Sequence, residues 1–356
     1  MGEWLSDFGM FLAQLLSLAV IVGLAVVVAA RLRGEGGDEA RLKVEELNRR
    51  RGARTRRLRL AASEPGARKR LAKAFRREDK RQTKAGKGRS GKAGGDGDEG
   101  EARPATLWLL DFHGDIRASG TGRFAEEVSA VISAAEPGDE VVVRLESAGG
   151  LVHAYGLAAA ELDRLREAGL TTTVCVDKVA ASGGYLMACG ADSVRAAPLA
   201  VLGSIGVVAQ VPNVHRLLKR HDIDVDVLTA GRYKRTLTVL GENTEEGREK
   251  FVEDLERTHE LFKRHVAERR PGLDMEAVAT GEIWYGSEAL EKGLIDALGT
   301  SEAYLVERMA STRVIRVRLE PPRRLGERLS LAVAAGVERA LLRGAEALDA
   351  SRWLKR

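Results

Sequence analysis

Two glycine pairs stand where strand-like stretches give way to helical ones, and one pair carries a serine. Ala180-Ala181-Ser182-Gly183-Gly184-Tyr185 follows the β-branched stretch 172–176, and Glu146-Ser147-Ala148-Gly149-Gly150 leaves the apolar stretch 141–145. Paired glycines let backbone approach closely, and unpaired amides at a helix start form a hollow for negative charge. Two such hollows with a hydroxyl between them describe a nucleophile beside an oxyanion hole. The same residues also read as tight strand–helix turns with Ser182 as an N-cap. They match neither a dinucleotide fingerprint nor a phosphate loop, because the spacing and the following Lys-Ser/Thr or acid are missing.

A serine hydroxyl needs a base within hydrogen-bond reach. Of the six histidines, His259 and His265 fall in a charged helical stretch and read as solvated, and His113 and His153 carry no pairing signal. His215 and His221 flank Leu217-Leu218-Lys219-Arg220, which leaves His215 as the one candidate for a triad. Lysine is the other route, provided that burial or neighbouring positive charge favours its neutral form. Lys234 stands between Arg232 and Arg235, just after the apolar run 225–228, which reads as a strand.

The elements that must position these residues follow from periodicity. Residues 106–112 (TLWLLDF) read as a strand, and 124–135 as a helix with Phe124, Val128 and Val131 on one face. Pro137-Gly138 breaks that helix before a strand at 141–145; a helix at 157–168, a strand at 172–176 and a helix from about Ser182 follow. Strands alternating with helices at this spacing predict βαβ units and a mainly parallel sheet. Asn243-Thr244-Glu245-Glu246 reads as a cap with Glu246 reaching back, opening a helix that packs through Phe251, Leu255, Phe262 and Val266. Tyr233 and Trp284 read as core or interface residues, Asp177-Lys178 as a solvated turn, and residues 196–212 as buried strands.

The composition is that of a globular protein with additions. The chain has 356 residues and a net charge of +5, which hides a partition. Residues 31–103 carry a net +12, whereas residues 104–356 sum to −5. Cys175 and Cys189 cannot build a disulfide framework and read as small core hydrophobes, and no Cys/His spacing suits zinc. Aromatics at 4% argue against a base-stacking surface.

Residues 8–30 form an uncharged run, about 34 Å long as a helix against a hydrocarbon core of about 30 Å. With an acidic flank before it and too long a run for a signal peptide, it reads as a retained anchor. The expected organisation is an anchor at 1–35, a basic, partly helical and then Gly-rich linker at 36–103, a catalytic domain at 104–319 and an amphipathic tail at 320–356. The linker suits anionic lipid heads better than nucleic acid, and no nucleic-acid partner is expected.

Four ordered motifs carry a resemblance: KVAASGGYLMAC, LGSIGVV, AGRYKRTLTVLGENTEEGREKF and GEIWYGSEALEKGLIDALGTSEA. Together they resemble the signal peptide peptidase A family of serine–lysine proteases, and in particular its short, membrane-anchored bacterial members. The resemblance implies a crotonase-like, Clp-protease-like α/β spiral after one transmembrane helix. It implies Ser182 as nucleophile, Lys234 as general base and Ser204 as a serine that helps orient the lysine. The oxyanion donors would be the amide of Gly183 and one from Gly149 or Gly150. Ala148 departs from the proline that many members have there, which touches loop stiffness more than chemistry. No metal or cofactor is implied.

The implied partners are a peptide or membrane-protein substrate, the lipid bilayer and further copies of the chain in a ring. The implied place is the bacterial inner membrane. Positive charge after residue 30 puts the domain in the cytoplasm, whereas family members usually work on the outer side. Two other readings share the fold: a catalytically silent membrane-bound scaffold, and a crotonase-type acyl-CoA enzyme that uses the oxyanion hole without a nucleophile.

Overall fold

The computed structural model of the protein describes residues 40–90 and 105–320. The expected anchor at 8–30, most of the Gly-rich stretch and the tail after residue 320 lie outside the described residues. Among the described residues, no helix is long and apolar enough to cross a membrane. Residues 43–318 form one compact unit.

Strand Arg41–Glu46 (β1) and helices Leu47–Ala62 (α1) and Pro65–Ser90 (α2) come first. Then the alternation begins, with Thr106–Gly114 (β2), Thr121–Ala134 (α3), Glu140–Ser147 (β3), Val152–Glu167 (α4) and Thr171–Val176 (β4). Val179–Ala181 (β5) leads into Gly183–Ala188 (α5), followed by Ser193–Ala196 (β6) and Val201–Gly203 (β7). After His215–Arg220 (α6) come the long helix Glu245–Arg269 (α7), Met275–Val278 (α8), Ile283–Tyr285 (β8) and Gly286–Glu291 (α9). Ala297–Leu298 (β9), Ser301–Arg308 (α10) and Arg313–Glu320 (β10) close the described chain.

Ten strands form one sheet in the order β1-β10-β2-β3-β4-β6-β9, with a branch β3-β5-β7-β8. The pairings from β10 through β9 and along β3-β5-β7 are parallel, and β7 with β8 is antiparallel. The α/β class and the mainly parallel sheet are therefore as expected. The strands read as nearly continuous apolar runs because both faces of a parallel sheet are covered. On one face Trp108, Leu110, Phe112, Val141 and Val143 meet Phe124, Val128 and Val131 of α3 and Leu162 and Leu165 of α4. Phe112 and Phe124 meet edge to face at 5.4 Å. On the other, Leu107, Leu109, Val142 and Cys175 pack with Leu305 of α10 and Val314. Each large side chain buried this way contributes roughly 1.5–3 kcal/mol. Cys175 and Cys189 are free and buried, their thiols pushed up to about 12 by desolvation, in keeping with small core residues.

Several expectations need correcting. Residues 225–228 form no strand: the alternating Ile223, Val225 and Val227 pair with no strand among the described residues, and Leu228 is 93% exposed. Residues 196–212 are only partly buried strand; after β7 the chain runs without regular structure to α6, with Val208 84% exposed. α2 continues as helix across residues 84–90, into the stretch read as a flexible tether. Strand β1 has no counterpart in the sequence reading, because RLKVEE is polar and its strand state comes from tertiary pairing. Asp177 is more than a solvated turn, since its carboxylate accepts from the amide and hydroxyl of Ser301 at the start of α10. Lys178 pairs with Glu146 at 2.9 Å on the surface.

Candidate active site

Strand register brings the two glycine pairs together. Ser147 lies opposite Ala180, and Ala181 opposite Gly203, in parallel pairings. The carboxyl ends of β3, β5 and β7 are thus neighbours, and the segments leaving them carry Gly149-Gly150, Ser182-Gly183 and Gly203-Ser204. Open α/β sheets present their sites at this edge.

Ser182 occupies the turn between β5 and α5 with φ 51° and ψ −121°. Positive φ in a non-glycine residue is strained and persists only where the surroundings impose it. Here its amide donates to Gly203 O at 2.8 Å, and its carbonyl accepts from Leu186 N at 2.9 Å. An N-cap serine has extended backbone and a bonded side chain. Ser182 holds the N-cap position of α5 through its carbonyl, but its backbone is not extended and its hydroxyl makes no capping bond, so the hydroxyl stays available.

Glycine at 149 is required by close approach. Its φ is 90°, and a β-carbon there would lie 2.7 Å from Ser182 Cβ and from Gly183 N. At Gly150 a β-carbon would strike the Ile116 carbonyl, and at Gly183 the Tyr155 ring. The amides divide. Gly149 N donates to Ser147 Oγ at 3.0 Å, whereas those of Gly150 and Gly183 have no hydrogen-bond partner among the described residues. Two unspent donors, the amides of Gly150 and Gly183, therefore flank the serine turn.

Behind this hollow runs a buried chain of polar groups that sequence reasoning missed. Ser147 Oγ is hydrogen-bonded to Tyr155 Oη, which donates to the Asp115 carbonyl at 2.7 Å. Burial pushes the Tyr155 phenol up, so it stays protonated. The Asp115 carboxylate, held low first by the Ser119 amide, also accepts from the Ser119 hydroxyl and the Arg117 amide. Only Ser147 was visible in a motif, and nothing there marked Tyr155 as its partner.

Ser204 has φ 50° and donates its amide to Glu282 O at 2.6 Å, directly after the glycine whose carbonyl holds Ser182. Trp284 packs against Gly203. His259 Nε2 meets Ile205 O and His265 Nε2 meets Leu186 O, both at 3.1 Å. The sequence reads these two histidines as solvated; instead they fasten α7 to the Ser204 loop and to α5, the helix that follows Ser182. His265 is held below its ordinary range, chiefly by burial and then by Arg269.

Lys234 lies in an exposed loop, and its ammonium has no hydrogen bond or ion pair among the described residues. The loop itself is tethered to the first turns of α7. Arg232 donates to Glu246 Oε1 through Nε at 3.0 Å and Nη2 at 2.6 Å, and Arg232 and Lys250 both face the Tyr233 ring. Glu246 therefore serves the lysine loop and does not reach back to the cap; Thr244 alone caps α7, accepting from Gly247 N. Within one chain, Ser182, Gly183, Gly149, Gly150 and the Ser204 loop come together, and Lys234 makes no bond to either serine. His215 begins the exposed helix α6 and is likewise not bonded to Ser182. No group of three or more metal-ligating side chains occurs among the described residues.

An α/β sheet with a strained serine and two unpaired amides at its carboxyl edge defines a class of site, and comparison with known proteins supplies the family. Residues 164–315 match Peptidase family S49, and residues 3–162 match Peptidase family S49 N-terminal. The chain belongs to peptidase family S49. It is 56% identical over 218 residues to "Probable protease SohB" of Haemophilus influenzae, covering 61% of this chain and 62% of that one. To "Probable protease SohB" of Buchnera aphidicola subsp. Acyrthosiphon pisum it is 48% identical over 237 residues, covering 67% and 70%. The aligned part thus spans about two thirds of these relatives' length. A solved mutant of the "1510-N membrane-bound stomatin-specific protease" overlays at a TM-score of 0.37 and 14% identity, covering 58% of this chain and 84% of that one.

Proposed function

We propose that this protein is a membrane-anchored serine endopeptidase of a crotonase-like fold, with Ser182 as nucleophile and Lys234 as general base. The observation that carries the reading is the Ser182 turn: a strained, uncapped serine between the unpaired amides of Gly150 and Gly183. Ser182 Oγ attacks a peptide carbonyl carbon while neutral Lys234 takes its proton. The amides of Gly150 and Gly183 hold the oxyanion. The C–N bond then breaks as the Lys234 ammonium protonates the leaving amine. Water, deprotonated by Lys234, hydrolyses the acyl-serine ester and frees the enzyme. Ser204 orients Lys234. No step calls for a metal or cofactor.

The exposure of Lys234 in the single chain supports a ring in which the base that serves Ser182 comes from a neighbouring copy, whose contact also desolvates it. The family membership and the uncharged run at 8–30 support a membrane address and substrates that are membrane-associated or signal-peptide-like segments.

Covalent labelling by a serine-directed fluorophosphonate tests the reading on detergent-purified wild type, Ser182→Ala, Lys234→Ala and His215→Ala. Labelling disappears in the first two variants and persists in the third. A folded, assembled wild type that neither labels nor cleaves apolar peptides would favour the scaffold reading; thioester turnover surviving Ser182→Ala would favour the acyl-CoA one.

A further inference from the structure

Residues 47–81 hold fifteen Lys and Arg against three Asp and Glu. In the structure this is an ordered surface and not a loose linker. No residue of α1 is buried, yet its first turn is fastened to the α/β unit. Asn48 Nδ2 donates to the carbonyls of Met309 and Thr312 at 3.2 and 3.0 Å, and Asn48 Oδ1 accepts from Val314 N at 2.7 Å. Arg50, Arg51 and Arg56 spend their charge on Glu45, Glu302 and Glu78. Arg54, Arg57, Arg59, Lys69, Arg70 and Lys73 are exposed and have no acidic partner among the described residues.

We propose that α1 and the first turns of α2 are a docking surface for the anionic headgroups of a phospholipid bilayer, which hold the α/β unit against the membrane in a fixed orientation. The proposal extends the anchored-protease reading but does not depend on residues 8–30 spanning the bilayer. Charge complementarity is its first support. Residues 104–356 sum to −5, so the rest of the domain is repelled by an anionic leaflet, and this surface supplies the opposite sign within a Debye length of about 8 Å. Its second support is continuity: the basic helices lie in sequence between the uncharged run and the α/β unit.

The third is chemistry that suits a lipid better than a nucleic acid. Phe75 is the single aromatic residue of segment 40–90, with Arg56 at 5.4 Å from its ring, so there is no row of rings on which successive bases could stack. Beside it a groove of 410 Å3 between α1, α2 and α10 sets Arg59 against Phe75, Val306 and Met309, a guanidinium next to an apolar wall. Long basic side chains lay their stems on such apolar surface while the charged ends meet phosphate.

The test uses the full chain carrying Ala62→Cys, at an exposed position where α1 ends. Cys175 and Cys189 are buried with thiols near 12, so a maleimide fluorophore reacts at position 62 alone. The labelled protein is floated with vesicles of phosphatidylcholine, with or without about 30 mol % phosphatidylglycerol, bearing a headgroup-linked acceptor. Energy transfer at least doubles with the anionic lipid and falls back in about 0.5 M salt. It does not rise in the sixfold variant Arg54→Gln, Arg57→Gln, Arg59→Gln, Lys69→Gln, Arg70→Gln, Lys73→Gln, in which Gln keeps the helices.

Equal transfer from both vesicle types overturns the proposal, as does a rise that survives in the variant. Displacement from the anionic vesicles by duplex DNA or RNA at matched phosphate would also overturn it, and assign the surface to nucleic acid. Flotation with both vesicle types reports the anchor. Flotation with the anionic vesicles alone removes the anchor while keeping the proposal, and flotation with neither removes both.

Discussion

Tyr155 touches no reacting atom in the proposed mechanism, yet it supports both sides of the hollow around Ser182. Its ring fills the space where a side chain at Gly183 would stand, and its hydroxyl joins the Asp115 carbonyl to Ser147 Oγ. Ser147 in turn accepts the Gly149 amide, which leaves the Gly150 amide as the free donor. Tyr155 is therefore a positioning residue. Tyr155→Phe keeps the ring and deletes the link. The expected result is a kcat lowered about tenfold, or ~1.4 kcal/mol of transition-state stabilisation, with KM nearly unchanged. Stability falls by about 1 kcal/mol for the lost hydrogen bonds. Ser147→Ala acts through the same chain, so the double variant is no slower than the worse single one. A Tyr155→Phe enzyme with unaltered kcat, or a double variant with additive losses, would sink the argument. The Ser182 and Lys234 labelling experiment belongs to this scale too, because it reads one hydroxyl and one amine.

Among the elements, the decisive piece is α7, which reaches the Ser204 loop and α5 through two histidines and the lysine loop through Glu246. His265 is held below its ordinary value, so the folded protein binds fewer protons there than the unfolded chain does. Its contribution to stability is complete above pH about 6.5 and is lost as pH falls toward the depressed folded value. Thermal melts at pH 7.5 and pH 5 should show a drop in wild type that shrinks in His265→Gln, whose amide still donates to Leu186 O; equal drops would remove His265 as the cause. The sequence reading missed this role because the helix around His259 and His265 is rich in charge, and a fastening to a carbonyl leaves no trace in periodicity. Strands 106–112, 141–145 and 172–176 were legible for the opposite reason: covered on both faces, they announce themselves as apolar runs. Residues 225–228 misled because alternation signals a strand without saying whether a partner edge exists. The serine and glycine turns were legible as motifs, but which glycine amide stays free depends on Ser147 and Tyr155, a contact eight residues apart.

At the scale of the whole protein, surface and chemistry ask for the same thing. Leu199, Val208 and Leu228 are 80%, 84% and 93% exposed, in or beside the irregular stretch that also carries the tethered Lys234 loop. Exposed apolar side chains of this size within one segment mark a surface made to be covered. A neighbouring copy that covers it would bury Lys234 and bring an amine to a Ser182 whose hydroxyl bonds to no base among the described residues. The two halves of the proposed dyad then belong to different chains, and that makes a prediction no single-chain arrangement shares. Ser182→Ala and Lys234→Ala are each silent alone. Mixed, dissociated and reassembled together, they form interfaces in which an intact Ser182 meets an intact Lys234. Fluorophosphonate labelling should return, confined to the Lys234→Ala chains because these alone keep the hydroxyl, at roughly a quarter of the wild-type level if equal amounts mix at random. Leu228→Asp, which puts a charge on the surface to be covered, should abolish both the recovery and the assembly seen by sedimentation. Silence in the verified mixed assembly would place both members of any dyad in one chain, and the Lys234 loop would then have to move to reach Ser182.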